Sequence, residues 1–179
     1  MIKAFVYLFT LFFALSLPVF AQTPTPTPEP TPIPVPPKKI NPRPTPDPNA
    51  PPEPFDGASV EKMREQCVRL ETEAGNIDIE MFPESAPETV RNFLNLIALG
   101  IFDTTTFSRI VPGFVIQGGS VSTRSPLRPE FFSRARRVIP DEPSLIKHER
   151  GILSMARSDE PGPATSHFFI LVNDAPHLD

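Results

Sequence analysis

Apolar and polar positions follow different periods along the chain. From Cys67 to Phe82 they alternate, with Val68 and Leu70 in one run and Ile77, Ile79 and Met81 in a second. Alternation puts every second side chain on a common face, so the runs predict two β-strands, with Gly75-Asn76 between them as a hairpin turn. Ser85-Ala86-Pro87-Glu88 then forms a capping-box pattern with proline in the first turn. Val90, Phe93, Leu94 and Ile97 recur at helical spacing. They predict a helix from Ala86 to Leu99 with one apolar stripe, stopped by Gly100 and packed on a sheet.

Phe107 to Gly119 reads as two short apolar runs joined by Pro112-Gly113 and closed by Gly118-Gly119. Gly151 to Arg157 reads as a buried strand and His167 to Val172 as the next, with a loop from Ser158 to Ser166 and a turn from Asn173 to Asp179. Phe55 to Gln66 is a polar transition with room for a short helix. Ser120 to Ile139 is irregular and carries Arg124, Arg128, Arg134, Arg136 and Arg137 with Phe131 and Phe132. Two readings of that segment stand side by side: a solvated variable loop, or a basic patch meeting an anionic surface such as lipid headgroups or polymer phosphates.

The first third of the chain has a different character. Lys3, an apolar run from Ala4 to Leu17 and Pro18-Val19-Phe20-Ala21 make the pattern of a secretory signal peptide at residues 1–21, cleaved after Ala21. The run is shorter than the about 20 apolar residues a bilayer-spanning helix needs, so no stable membrane insertion is expected after cleavage. The protein is then exported, to a periplasm or outside the cell. From Thr23 to Pro54 the sequence is mostly Thr-Pro and Pro-Pro steps with few aliphatic residues. Such a segment cannot bury enough surface to offset ordering entropy and favours extended polyproline II. Residues 22–55 are therefore expected to be a disordered, semi-stiff linker, serving as a spacer or as a ligand for proline-binding modules or the chain's own domain. A domain at residues 56–179 remains.

Of the 179 residues 26 are proline, well above the usual share of about one in twenty, and the excess lies in that linker. A formal charge of -4 and a pI near 5.4 argue against general nucleic-acid binding. The single cysteine, Cys67, excludes an intrachain disulfide and reads as a small hydrophobe at a strand start or as a reactive thiol. His148, His167 and His177 lack the short spacings of a zinc site, and no G-x-S-x-G elbow is present. No metal or cofactor is expected. Asp141-Glu142 and Asp159-Glu160 read as solvated loop carboxylates.

One residue stands out against its surroundings. Arg109 lies among β-branched and aromatic residues, where a permanently charged guanidinium needs either an outward-facing position or a partner. The stretch Phe107-Ser108-Arg109-Ile110-Val111-Pro112-Gly113-Phe114-Val115-Ile116-Gln117-Gly118-Gly119 resembles the central signature of cyclophilin-type peptidyl-prolyl cis-trans isomerases. The hairpin and helix at Val68 to Gly100, Gly151-Ile152-Leu153-Ser154-Met155-Ala156-Arg157, and Ser166-His167-Phe168-Phe169-Ile170 are similar to the same family in the same order.

The resemblance implies a mainly β fold with helices: an antiparallel eight-stranded β-barrel capped by helices, in a bacterial exported protein. Relatives of the family continue beyond the match to Leu178-Asp179, so it also implies a barrel incomplete at its C-terminus. It makes Arg109 the catalytic residue. Phe114, Val115 and Phe169 would line the proline pocket, Gln117 would bind the substrate backbone, and Ala156 and Arg157 would hold the peptide edge. His167 stands where a glutamine is frequent, His177 where an aromatic is frequent, and Leu178 matches a pocket wall. Proline-containing polypeptides are the implied partners. The alternative expectation is a catalytically impaired peptide-binding or scaffold protein.

Overall fold

The structure, a computed structural model, describes residues 51–157 and 164–179. The expected signal peptide, most of the proline-rich linker and the residue 158–163 part of the expected loop lie outside the described residues. Two helices and a hairpin come first: α1 (Val60–Arg64), β1 (Cys67–Thr72), β2 (Gly75–Glu80) and α2 (Pro87–Ala98). Four strands and a short helix follow: β3 (Arg109–Val111), β4 (Val115–Gly118), α3 (Phe131–Ala135), β5 (Leu153–Met155) and β6 (Phe168–Leu171). Two 3₁₀ turns lie at Val121–Thr123 and Pro176–Leu178. Among the described residues no helix is long and apolar enough to cross a membrane.

The hairpin forms two residues earlier than the glycine suggests. Thr72 pairs with Gly75, so Glu73-Ala74 makes the turn. Thr72 closes it through its side chain: Oγ1 donates to the Gly75 carbonyl at 2.7 Å and accepts from the Ala74 amide at 3.2 Å. Gly75, at φ 127°, starts β2 with a backbone unfavourable to other residues.

Helix α2 spans the predicted range to within a residue at each end, but the capping box does not form. Ala86 is the N-cap and gives no side-chain bond. The Glu142 carboxylate arrives from a distant loop instead, accepting the Glu88 and Thr89 amides at 2.9 and 2.8 Å. A carboxylate there satisfies two orphan donors and faces the positive end of the helix dipole. Glu142 is thus a cap and not a solvated loop residue; Asp141 beside it pairs with Arg157 at 2.8 Å. At the other end Gly100 takes φ 65°, and the amides of Gly100 and Ile101 bond the carbonyls of Ile97 and Leu96 at 2.8 and 2.9 Å. This is a Schellman stop, and buried Ile101 packs on Leu96 as that motif requires.

The larger sheet is antiparallel in the order β3-β4-β6-β5. One face carries Phe168, Ile170, Leu153 and Met155, which pack with Val90, Phe93 and Leu94 of α2 and with Val68, Leu70, Ile79 and Met81 of the hairpin. Phe168 is central to this core. Its ring lies 5.5 Å from Phe93, 5.5 Å from Phe102 and 6.3 Å from Phe107, tilted toward edge-on each time. Such pairs each contribute about 0.5–1.5 kcal/mol beyond area burial.

Six strands in two sheets are what the described residues form, and neither sheet closes into a barrel. The hairpin meets the larger sheet through side chains and not through a hydrogen-bond ladder, so no shared register joins them. Strands β3 and β5 are the edges of the larger sheet. Its edge position leaves β5 half-buried, where the apolar run predicted a buried strand.

Two segments next to the domain are engaged with it. At the end of the expected linker Glu53 is buried and the Phe55 amide donates to Asn95 Oδ1 of α2 at 2.8 Å. The arginine-rich segment is ordered on the domain and includes α3. Arg124 donates to the carbonyls of Gly100, Ile101 and Asp103 and lies over the Phe131 ring at 5.1 Å. Arg128 pairs with Glu130, Arg134 and Arg137 with Glu53, and Arg136 lies over Phe132 at 5.8 Å. Most of that positive charge is engaged inside the domain. Cys67, by contrast, is exposed at the start of β1.

Candidate functional site

The opposite face of the larger sheet carries most of the candidate residues. Register places Arg109 against Gln117, Gln117 against Phe169, and Phe169 against Ser154, one rung across four strands. Residues paired across antiparallel strands share a face, so all four side chains project from one side. Arg109 is exposed, and its Nη1 donates to Gln117 Oε1 at 3.2 Å. The arginine therefore has both features its setting demanded, an outward-facing position and a partner. A carboxamide that holds one end of a guanidinium restricts its rotamers and leaves other N–H groups free to donate.

Two residues along the same face, Val111 pairs with Val115 and Val115 with Leu171. Val115, Leu171 and Ala175 form a small buried cluster, against which Phe114, Phe169 and Leu178 pack. Strict alternation would send Phe114 to the other face. The Pro112-Gly113 turn redirects it: Gly113 takes φ 73°, and the Phe114 amide returns to the Val111 carbonyl at 3.0 Å. The turn is held from outside by Val172 N–H on the Phe114 carbonyl at 2.9 Å and by Asn173 Nδ2 on the Gly113 carbonyl at 3.1 Å.

The Phe114 ring also meets His177, with centroids 5.5 Å apart. His177 and Leu178 lie in the Pro176–Leu178 turn, which is tied down at both sides. Ala175 N–H donates to the His148 carbonyl at 2.7 Å, and Asp179 Oδ1 accepts the His148 amide at 2.8 Å. That amide bond, the His148 side chain and the nearby Lys147 ammonium hold the Asp179 carboxyl below the usual carboxylate range.

Beyond β6 the ladder direction continues by one bond, Ala156 N–H to the His167 carbonyl at 2.8 Å. His167 therefore stands two residues along the site face from Phe169, about 7 Å away at strand rise. The Gly pair permits this approach. A Cβ on Gly119 would lie 2.3 Å from the Ser166 carbonyl oxygen, and Ser166 Oγ donates to the Gly119 carbonyl at 2.9 Å.

The fold thus brings Arg109, Gln117, Phe169, Phe114, Val115, His177 and Leu178 to one face, with Ala156 and His167 at its far end. Val115 is almost completely buried and supports the floor of this face. Arg157 is directed to Asp141. Sequence reasoning missed Glu53, Asn92, Arg134 and Glu142, which act through contacts 42 to 81 residues apart. No local pattern announces such pairs.

A face with a fixed guanidinium beside a small aromatic cluster suits capture of an extended peptide with a ring-shaped apolar residue. Comparison with known proteins gives the class. A family model described as "Cyclophilin type peptidyl-prolyl cis-trans isomerase/CLD" matches residues 67–179. The chain is 43% identical over 120 residues to "Peptidyl-prolyl cis-trans isomerase-like 3" of Neurospora crassa, covering 63% of this chain and 69% of that one. It is 40% identical over 114 residues to "Peptidyl-prolyl cis-trans isomerase CYP23" of Arabidopsis thaliana, covering 63% of this chain and 50% of that protein. The chain thus spans half the length of the plant relative. The crystal structure of a Cryptosporidium parvum cyclophilin type peptidyl-prolyl cis-trans isomerase, in the presence of dipeptide ala-pro, superposes with a TM-score of 0.51 at 32% identity. That match covers 64% of this chain and 72% of the other. The chain belongs to the cyclophilin-type peptidyl-prolyl cis-trans isomerase family.

Proposed function

We propose that this chain is an exported peptidyl-prolyl cis-trans isomerase that accelerates X-Pro bond rotation in proteins outside the cytoplasm and so assists their folding. The observation that carries the reading is the rung Arg109–Gln117–Phe169, with Phe114 and Leu178 beside it on the same face. Rotation of an X-Pro amide loses C–N resonance, against a barrier of about 18–20 kcal/mol. In the twisted state the prolyl nitrogen regains its lone pair. A donor reaching that nitrogen stabilises the transition state more than the planar ground state.

Arg109 is the donor, and Gln117 sets its direction. Such a charge-assisted bond contributes about 1.5–3 kcal/mol, against the about 7 kcal/mol that a 10⁵-fold acceleration needs. The difference falls to the apolar contacts of Phe114, Phe169 and Leu178 with the proline ring and to positioning of the flanking peptide along Ala156 and His167.

The test is isomerisation of a proline peptide by the full chain. Arg109→Ala should lower kcat/KM about 10- to 100-fold, with peptide binding retained. Activity independent of Arg109 would sink the mechanism, and binding without activity in the parent chain would favour the peptide-binding alternative. Export rests on Lys3, the Ala4 to Leu17 apolar run, and Val19 and Ala21 at the third-last and last positions before the cut. Mass spectrometry of the secreted or periplasmic form should find Gln22 at its N-terminus, and an intact Met1 would refute cleavage.

A further inference from the structure

The four buried polar residues among the described ones are Glu53, Asn92, Asn95 and Ser166. Three of them lie along one path. The Glu53 carboxylate, 5% exposed, accepts Arg134 Nε at 2.5 Å and Nη2 at 2.7 Å, and Arg137 Nη1 at 2.8 Å. Arg134 Nη1 continues to Asn92 Oδ1 at 2.9 Å, and Asn92 Nδ2 donates to the Thr165 carbonyl at 3.1 Å. Thr165 leads directly into Ser166, bonded to Gly119, and into His167, whose carbonyl holds Ala156. A buried carboxylate from the proline-rich approach to the domain is thereby tied to the far end of the site face.

A cavity of 220 Å³ lies where this path ends. Phe132, Ala135 and Arg136 on and beside α3 line one wall and Thr165, Ser166 and His167 another, with Ser120, Val121 and Ser122 completing the lining. Arg134 is part of α3, so the bonds from Arg134 through Asn92 to Thr165 tie the α3 wall to the wall of Thr165, Ser166 and His167. A buried, doubly hydrogen-bonded ion pair is rigid, because releasing either partner leaves an uncompensated charge out of water.

We propose that Glu53, Arg134 and Asn92 are positioning residues for the peptide-binding edge. They fix the spacing of the cavity walls so that it accepts an apolar side chain about two residues from the substrate proline. The distance follows from the about 7 Å between His167 and Phe169 along the face and about 3.3 Å per extended substrate residue. The inference rests on the isomerase reading for its substrate. It makes the segment before the domain, in sequence a spacer, a determinant of specificity.

The test compares the full chain with Glu53→Gln and with the charge-free pair Glu53→Gln/Arg134→Gln, on two peptides differing only in Phe or Gly two residues before the proline. The variants should raise KM for the Phe peptide about five- to tenfold, with kcat within about twofold and the Gly peptide unchanged. Equal effects on both peptides, or none, would overturn the proposal, since general loss of folded protein cannot discriminate between substrates. Amide exchange in Arg134→Lys, which keeps the charge but not the fork, gives a second readout independent of activity. Exchange at Ala156, bonded to His167, should quicken about tenfold while Leu171, bonded to Ile152, keeps its rate. Unchanged exchange at Ala156 refutes the tie. Absence of activity in the parent chain on either peptide refutes the isomerase reading, and the exchange experiment then decides the tie alone.

Discussion

Glu142→Ala removes the cap of α2 without touching its sequence. In the structure the carboxylate accepts the Glu88 and Thr89 amides at 2.9 and 2.8 Å, and Ala86 offers no side-chain substitute. Loss of an N-cap acceptor costs about 0.5–2 kcal/mol, and loss of a negative charge at the helix start about 0.3–1 kcal/mol more. The sum is about 1–3 kcal/mol. At roughly 4 °C per kcal/mol for a domain of this size, Tm should fall by about 4–12 °C. Thermal unfolding of the full chain by circular dichroism reads this directly. Glu142→Gln keeps an acceptor but not the charge and should lose about half as much. Ser85→Ala is the control, because the capping-box pattern in the sequence assigns the cap to Ser85. A Ser85→Ala loss as large as that of Glu142→Ala would refute the long-range cap, as would a Glu142→Ala change within about 1 °C.

Two other perturbations follow from named contacts. Gly119→Ala meets the Ser166 carbonyl oxygen at 2.3 Å from a backbone at φ 85°, whereas Gly57→Ala meets nothing within 4 Å at φ 68°. The first should cost about 3–5 kcal/mol and the second about 1 kcal/mol, and equal costs by urea unfolding would remove close approach as the reason for the Gly pair. Asp179, held below its ordinary range chiefly by the His148 amide, contributes stability that is fully present above its unfolded pKa of about 3.9 and is lost as pH falls toward the lower folded value. Asp179→Asn should flatten the acid side of the melting-temperature profile below about pH 4, leaving the neutral side parallel to that of the parent; an unaltered acid limb would contradict this.

Local pattern was sufficient wherever one residue's neighbours in sequence are also its neighbours in space. The alternation of Val68 and Leu70, the stripe of Val90, Phe93, Leu94 and Ile97, and the stop at Gly100 all appear as strand, helix and Schellman end. Ser59 caps α1 as its polar transition allows, accepting the Lys62 amide at 3.3 Å. The oddness of Arg109 was legible too, because a permanent charge in an apolar run demands an explanation at any position. The hairpin turn was misplaced by two residues because Thr72 closes the loop with a side-chain hydroxyl that competes with the glycine signal.

What the tertiary structure alone decided involves groups brought together across the chain. Arg109 and Gln117 share a rung because the Pro112-Gly113 turn sets the register, and Phe169 joins them only when β6 pairs with β4. Glu53 looks like part of a solvated spacer and Arg134 like part of a basic loop. Each becomes buried because the other is present to neutralise it. Charge and period are properties of a segment and can be read from it. A buried carboxylate 81 residues from its arginine is a property of the packed chain, in which desolvation makes the pairing obligatory.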